Sequence, residues 1–209
     1  MALLRKLLGT GLISVLGLSV AQFANAQSVA DTEYAEMSRP AITQVLKKKT
    51  AVLTDLNFQR EVVDYDGAVI VLFDSTCNRT QEADNIDKNM DIVYLGLIDQ
   101  FSSARVNNLP LKFTYFDGCN FYERPNGLFA QLGITTTETH MYLDGRKIDV
   151  MRGGPISEKG VRAFDTNMSL WIEYTLLGIR QPEDRDRDIV ALYKETMDLE
   201  VYPSSEIQK

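Results

Sequence analysis

Cys77 and Cys119 are the only thiols in a chain of 209 residues, and His140 is the only histidine. Cys77 opens the stretch Cys77-Asn78-Arg79-Thr80, directly after Asp74-Ser75-Thr76, turn and capping residues that close an apolar run from Ala68 to Phe73. Cys119 follows Asp117-Gly118, a turn signal at the end of a second apolar run. One histidine and no cysteine cluster argue against a structural zinc site, and the sequence asks for no cofactor. His140, beside Met141, reads as a satisfied core or edge histidine rather than a catalytic one. No glycine-rich phosphate cradle precedes a helix, and the acidic stretch Glu183-Asp184-Arg185-Asp186-Arg187-Asp188 lacks calcium-loop spacing. Asn78-Arg79-Thr80 and Asn167-Met168-Ser169 match the glycosylation sequon, and both read as coincidental. Chemistry, if there is any, therefore runs through the thiols.

The compartment decides what a thiol pair does. Residues 1–26 carry Arg5 and Lys6, an uncharged apolar run from Leu7 to Ala21, and the small-x-small triplet Ala24-Asn25-Ala26. That order is a secretory signal peptide, expected to be cleaved after Ala26. The run is shorter than the roughly 20 residues of a spanning helix, so no stable membrane span is expected after cleavage. Loss of Arg5 and Lys6 leaves 20 Lys+Arg against 29 Asp+Glu, a net charge of −9. No nucleic-acid partner is expected on that balance, and a periplasmic or secreted location is expected, where paired cysteines are normally oxidised.

The elements that position the thiols follow from the pattern. Residues 27–49 predict an N-terminal arm, partly helical, broken near Pro40 and ending in Lys47-Lys48-Lys49, which reads as a solvated helix end. Ala51-Val52-Leu53 predicts a short strand, and Thr54 or Asp55 caps a helix bearing Phe58, Val62 and Val63. Residues 68–73 are apolar on both faces, as in the buried middle of a parallel sheet. A helix is expected from about Asp87 to Val106, a strand over 111–116, a short helix within 125–132, and a hairpin turning at Asp144-Gly145. Ser157 caps a last helix that Gly178 ends. Alternating elements followed by a hairpin give an α/β fold, a mixed β-sheet with helices on both faces. Residues 179–209 then read as a linker and an amphipathic C-terminal helix with Ile189, Val190, Tyr193 and Met197.

Over 50–178 the chain resembles the thioredoxin-like superfamily. The residues that carry this are Val52-Leu53-Thr54-Asp55 with Phe58, Val69 to Phe73 leading to Cys77, Gly133-Ile134, Tyr142-Leu143-Asp144-Gly145 and Gly153-Gly154. The resemblance implies a Cys-x-x-Cys motif at the start of the helix after that strand, where the helix dipole stabilises a thiolate. Here Cys77 keeps the attacking position and Thr80 takes the resolving one, so a dithiol cycle within the motif is impossible. Thr137 stands where the family places a cis-proline beside the active site, and Thr76 where a tryptophan commonly precedes the first cysteine. Without the proline, which shapes the family's groove, the expectation of substrate-peptide docking is weakened.

In a thioredoxin-like sheet the strands preceding Cys77 and Cys119 would be neighbours. Adjacent strands lie about 4.8 Å apart and a disulfide tolerates Cα separations up to about 6.8 Å, so a Cys77–Cys119 bridge is expected, structural by default. Two alternatives stay open: a redox-active bridge with Cys119 as an unusual resolving partner, and Cys77 as a lone nucleophile forming mixed disulfides. The favoured expectation is a non-catalytic binding or scaffold component with a protein partner in the cell envelope, for example in a secretion assembly. The arm, the segment 117–127 with Phe121 and Tyr122, and the C-terminal helix with Val201-Tyr202-Pro203 offer side chains for it. The competing class is a thiol-disulfide oxidoreductase or isomerase acting through Cys77.

Overall fold

A computed structural model describes residues 34–74, 80–118, 127–134, 136–155 and 158–177. In chain order the elements are α1 (Arg39–Lys49), β1 (Ala51–Leu53), a five-residue π-helical turn Gln59–Val63, β2 (Ala68–Asp74), α2 (Gln81–Gln100), β3 (Arg105–Val106), β4 (Leu109–Pro110), β5 (Lys112–Asp117), α3 (Leu128–Leu132), β6 (Glu138–Leu143), β7 (Arg146–Arg152), α4 (Glu158–Ile172) and a second π-helical turn Glu173–Leu177. Five strands form one sheet in the order β1-β5-β2-β6-β7, while β3 and β4 make a separate ribbon. β5 runs parallel to β1 and β2, and β6 runs antiparallel to both β2 and β7. This is the mixed sheet that the pattern predicts.

All seven residues of β2 are buried because the strand is central and covered on both sides. Side chains alternate across a strand. Ala68, Ile70 and Leu72 thus enter a core shared with α1, α2 and α4, while Val69, Val71 and Phe73 enter a second core with Phe58, Val62 and Phe129. Phe73 is central to the second core, with ring centroids 5.6 Å from Phe116, 5.7 Å from Phe129 and 4.7 Å from His140. Helices therefore flank both faces. The Tyr94 hydroxyl from α2 lies 2.7 Å from the Ile70 carbonyl and 2.8 Å from that of Thr114, fixing the helix over the β2–β5 seam.

Four local expectations are corrected. Pro40 does not break the arm; it stands in the first turn of α1, where its missing N–H costs nothing. The helix expected after Thr54 shrinks to the turn at 59–63, because Asn57 makes a side-chain bracket: its Oδ1 accepts from Thr54 N at 2.7 Å and its Nδ2 donates to the Val52 carbonyl at 3.0 Å. α2 begins at Gln81, not Asp87, since Thr80 caps it. It ends at Gln100, because Asn107 and Asn108 (φ 53° and 65°) turn the β3–β4 ribbon. Asp144 and Gly145, with φ of 48° and 73°, form the two-residue hairpin turn as expected.

The described part of the arm, residues 34–49, docks on its own domain. Ile42 and Leu46 are completely buried, and Lys49 Nζ donates to the Tyr34 hydroxyl at 2.8 Å and to Asp99 at 2.5 Å. Lys47 pairs with Asp117 at 3.1 Å, so two of the three lysines make specific contacts. No helix among the described residues is long and apolar enough to cross a membrane.

Candidate functional site

Cys77, Asn78, Arg79 and Cys119 lie outside the described residues, as do Phe121, Tyr122 and the segment from Gly178 onward. The strand ends that lead to both cysteines are described. Asp74 of β2 is paired in register with Asp117 of β5, so the two connections depart from adjacent positions of one parallel pair. Thr80 is exposed and has extended backbone, and its hydroxyl oxygen accepts from Ala83 N at 3.3 Å. Thr80 thus has a structural task, satisfying a free amide of the first helical turn. Thr137 is buried, and the described residues contain no cis peptide bond. Its hydroxyl points inward to Asp87, with Asp74 Oδ1 at 3.4 Å, and its carbonyl accepts from Gly153 N at 2.9 Å. Both threonines stand against the first turns of α2 at the same end of the sheet.

Beneath that end lies a buried charge cluster that sequence reasoning missed. Arg39, at the start of α1, reaches Asp74 at 2.9 Å and Asp87 at 3.4 Å through Nη2, and pairs with Asp84 through Nη1. The Tyr115 hydroxyl lies 3.4 Å from Asp74 Oδ2. Asp74, Asp87 and Asp91 are shielded from solvent almost completely, whereas Asp84 is half exposed. Burial works against the Arg39 charge, but the surrounding carboxylates outweigh it and hold the guanidinium firmly protonated. Asp91 is also shifted upward, which for a carboxyl favours the neutral form: burial first, then the nearby Asp74, raise it well above the usual range. One signal was legible. Asp84, Asp87 and Asp91 recur at helical spacing on α2, but their polarity makes the first turns look like loop. Among the described residues no group of three or more His, Cys, Asp or Glu could hold a metal ion.

The opposite face of β6 carries a second polar chain. His140 Nε2 lies 2.7 Å from Glu138 Oε2, and Arg152 Nε donates to Glu138 Oε1 at 3.1 Å. Burial, the largest effect, pulls the His140 pKa below its ordinary value even against the Glu138 contact. A neutral ring that donates from Nε2 to Glu138 and accepts at Nδ1 from Tyr142, 3.5 Å away, satisfies both nitrogens. His140 is therefore a satisfied core histidine, as expected.

Asp165 on α4 is mostly buried, its Oδ1 lacks a partner among the described residues, and burial pushes its pKa up to about 7. The folded pKa exceeds the unfolded one, so the native state binds the proton more tightly. Stability is then fully present below about pH 4 and falls as pH rises to about 7. Asp165→Asn is expected to gain on the order of 2 kcal/mol at pH 8 and almost nothing at pH 4, read from urea midpoints at the two values. Equal gains at both would mean that the carboxyl is solvated.

No protein-family model matches the chain, and no curated protein matches it. Among solved structures it is similar to thioredoxin f2 of Chlamydomonas reinhardtii, at 16% identity and a TM-score of 0.40, over 60% of this chain and 96% of that one. By its own strand order, its terminal antiparallel hairpin and its helices on both faces, this chain has a thioredoxin-like α/β fold.

Proposed function

We propose that this chain is an exported, thioredoxin-like protein that acts by binding a protein partner in the cell envelope and not by dithiol exchange. The observation that carries the reading is Thr80: the position of a second thiol is an exposed helix cap bonded to Ala83 N. Thr137 supports it, since its side chain is engaged with Asp87 inside the domain and its carbonyl with Gly153. The reading of residues 1–26 as a leader supports export and predicts a mature chain beginning at Gln27. With α1 docked on its own domain, this reading assigns the partner contact to Phe121, Tyr122 and the tail from residue 179, which lie outside the described residues.

The purified chain is expected to reduce insulin no faster than the dithiothreitol background. Cys77→Ser should also leave its envelope crosslinking partners unchanged. Turnover that Cys77→Ser abolishes, in a variant that still folds, would overturn the binding reading. A second reading, an oxidoreductase using Cys77 with Cys119, is favoured by the adjacent departure of the two connections at Asp74 and Asp117. The reduction potential separates the two: below about −300 mV the bridge is a staple, and near −120 to −200 mV it is an exchanging pair.

A further inference from the structure

α4 meets the rest of the domain on two sides. Val161, Phe164, Met168, Trp171 and Ile172 enter the first core. Trp171 Nε1 donates to Asp149 of β7 at 2.7 Å, and Ser169 Oγ donates to Gln100 of α2 at 2.9 Å. At about 100° per residue, Ala163, Leu170 and Tyr174 form a separate stripe, roughly 130° round the helix axis from the one that enters the core. These three are nonetheless only 3%, 8% and 6% exposed. Among the described residues they are the buried hydrophobics that belong to neither core. Asn167 stands in the same stripe, and its Oδ1 is buried with no hydrogen-bond partner among the described residues. A helix side that is turned away from both cores and still shielded from water is covered by another part of the chain.

We propose that this outer stripe of α4 is the docking surface for the chain's own C-terminal segment, residues 189–199, which folds back on it as a helix. That segment lies outside the described residues, and its sequence brings Ile189, Val190, Tyr193 and Met197 within about 100° of arc on one side of a helix. The stripe from Ala163 to Tyr174 and a helix over 189–199 are each about 16 Å long, so the two apolar faces match end to end. The connection, residues 178–188, directly follows the π-helical turn after α4. Extended, it spans up to about 36 Å, enough to return along the whole of α4. Other segments outside the described residues fit less well. Residues 119–126 join β5 to α3, whose Phe129 lies in the second core, across the sheet from α4. Residues 27–33 and 75–79 offer little apolar surface, and residues 1–26 are expected to be removed. The docking does not rest on the binding role proposed above, and it leaves that role Phe121, Tyr122 and the rest of the tail.

The test places photoreactive benzoylphenylalanine at Tyr193 of the full chain, an aromatic exchange outside both cores. Irradiation is expected to give adducts within residues 163–174 of the same chain, read by mass spectrometry on a mixture of isotope-labelled and unlabelled protein. Amide exchange of the unsubstituted chain should show residues 190–199 protected at least about tenfold over an unstructured peptide. Leu170→Glu should abolish the adducts and this protection while β2 and β6 keep theirs. Should Leu170→Glu unfold the domain, Val190→Glu makes the same test from the tail, where no core is disturbed. Adducts that survive in a folded variant would overturn the docking. Adducts confined to another segment would overturn it too, and adducts joining labelled to unlabelled chains would give the stripe to a second copy instead. Unprotected amides at 190–199 would likewise overturn it.

Discussion

Arg39→Met is expected to cost about 3–5 kcal/mol at neutral pH, one of the two largest losses foreseen for a single substitution in this chain. Methionine keeps much of the arginine's volume and removes its charge, so the loss reports electrostatics more than packing. Asp74 and Asp87 would then stay buried without the cation that Nη2 brings within 2.9 Å and 3.4 Å of them. Urea denaturation of both chains at pH 7 measures it. A cost below about 1 kcal/mol at pH 7 would mean that water reaches the cluster and screens it.

Gly145→Ala is expected to cost at least about 3 kcal/mol, combining left-handed strain with a steric clash. Gly145 has φ of 73°, and a Cβ built on it would lie 2.0 Å from the Val63 carbonyl oxygen. That oxygen belongs to backbone, so relief requires the hairpin and the 59–63 turn to move apart. Gly133→Ala is the internal control. It has a comparable φ of 67° but nothing within 4 Å of an added Cβ, so only the conformational cost of about 1 kcal/mol remains. Thermal midpoints of the two variants should be clearly separated. Coincident midpoints would show that the hairpin tip adjusts freely.

The parts of the fold that were legible are those where one contiguous pattern sets the outcome. The doubly apolar run at 68–73 marks a central strand, Asp144-Gly145 marks the β6–β7 hairpin, and the spacing of Val161, Phe164, Met168 and Trp171 marks α4. The start of α2 is hidden in the sequence because its first turns turn carboxylates inward, where a hydrophobic period expects apolar side chains. The cluster itself could not be read from sequence. Arg39 meets Asp74 and Asp84 across 35 and 45 residues, and Thr137 meets Asp87 across 50, separations that only the sheet order brings together. At the candidate site, the departures at Thr80 and Thr137 were legible as residue types, but their tasks were not. That Thr80 caps and that Thr137 faces inward follows from the backbone around them.

The Asn57 bracket at β1 also decides how this protein can meet other copies of itself. The border strand is three residues long, and the carbonyl of its middle residue, Val52, is already occupied by Asn57 Nδ2. A foreign strand finds no free ladder there. The other border, β7, is longer but follows an irregular register at Met141/Tyr142 and carries Arg146, Lys147 and Arg152. A short quenched strand on one side and a kinked cationic one on the other are both features that oppose edge-to-edge aggregation. The five-stranded sheet is thus protected from lateral growth by one asparagine on one side and one bulge on the other.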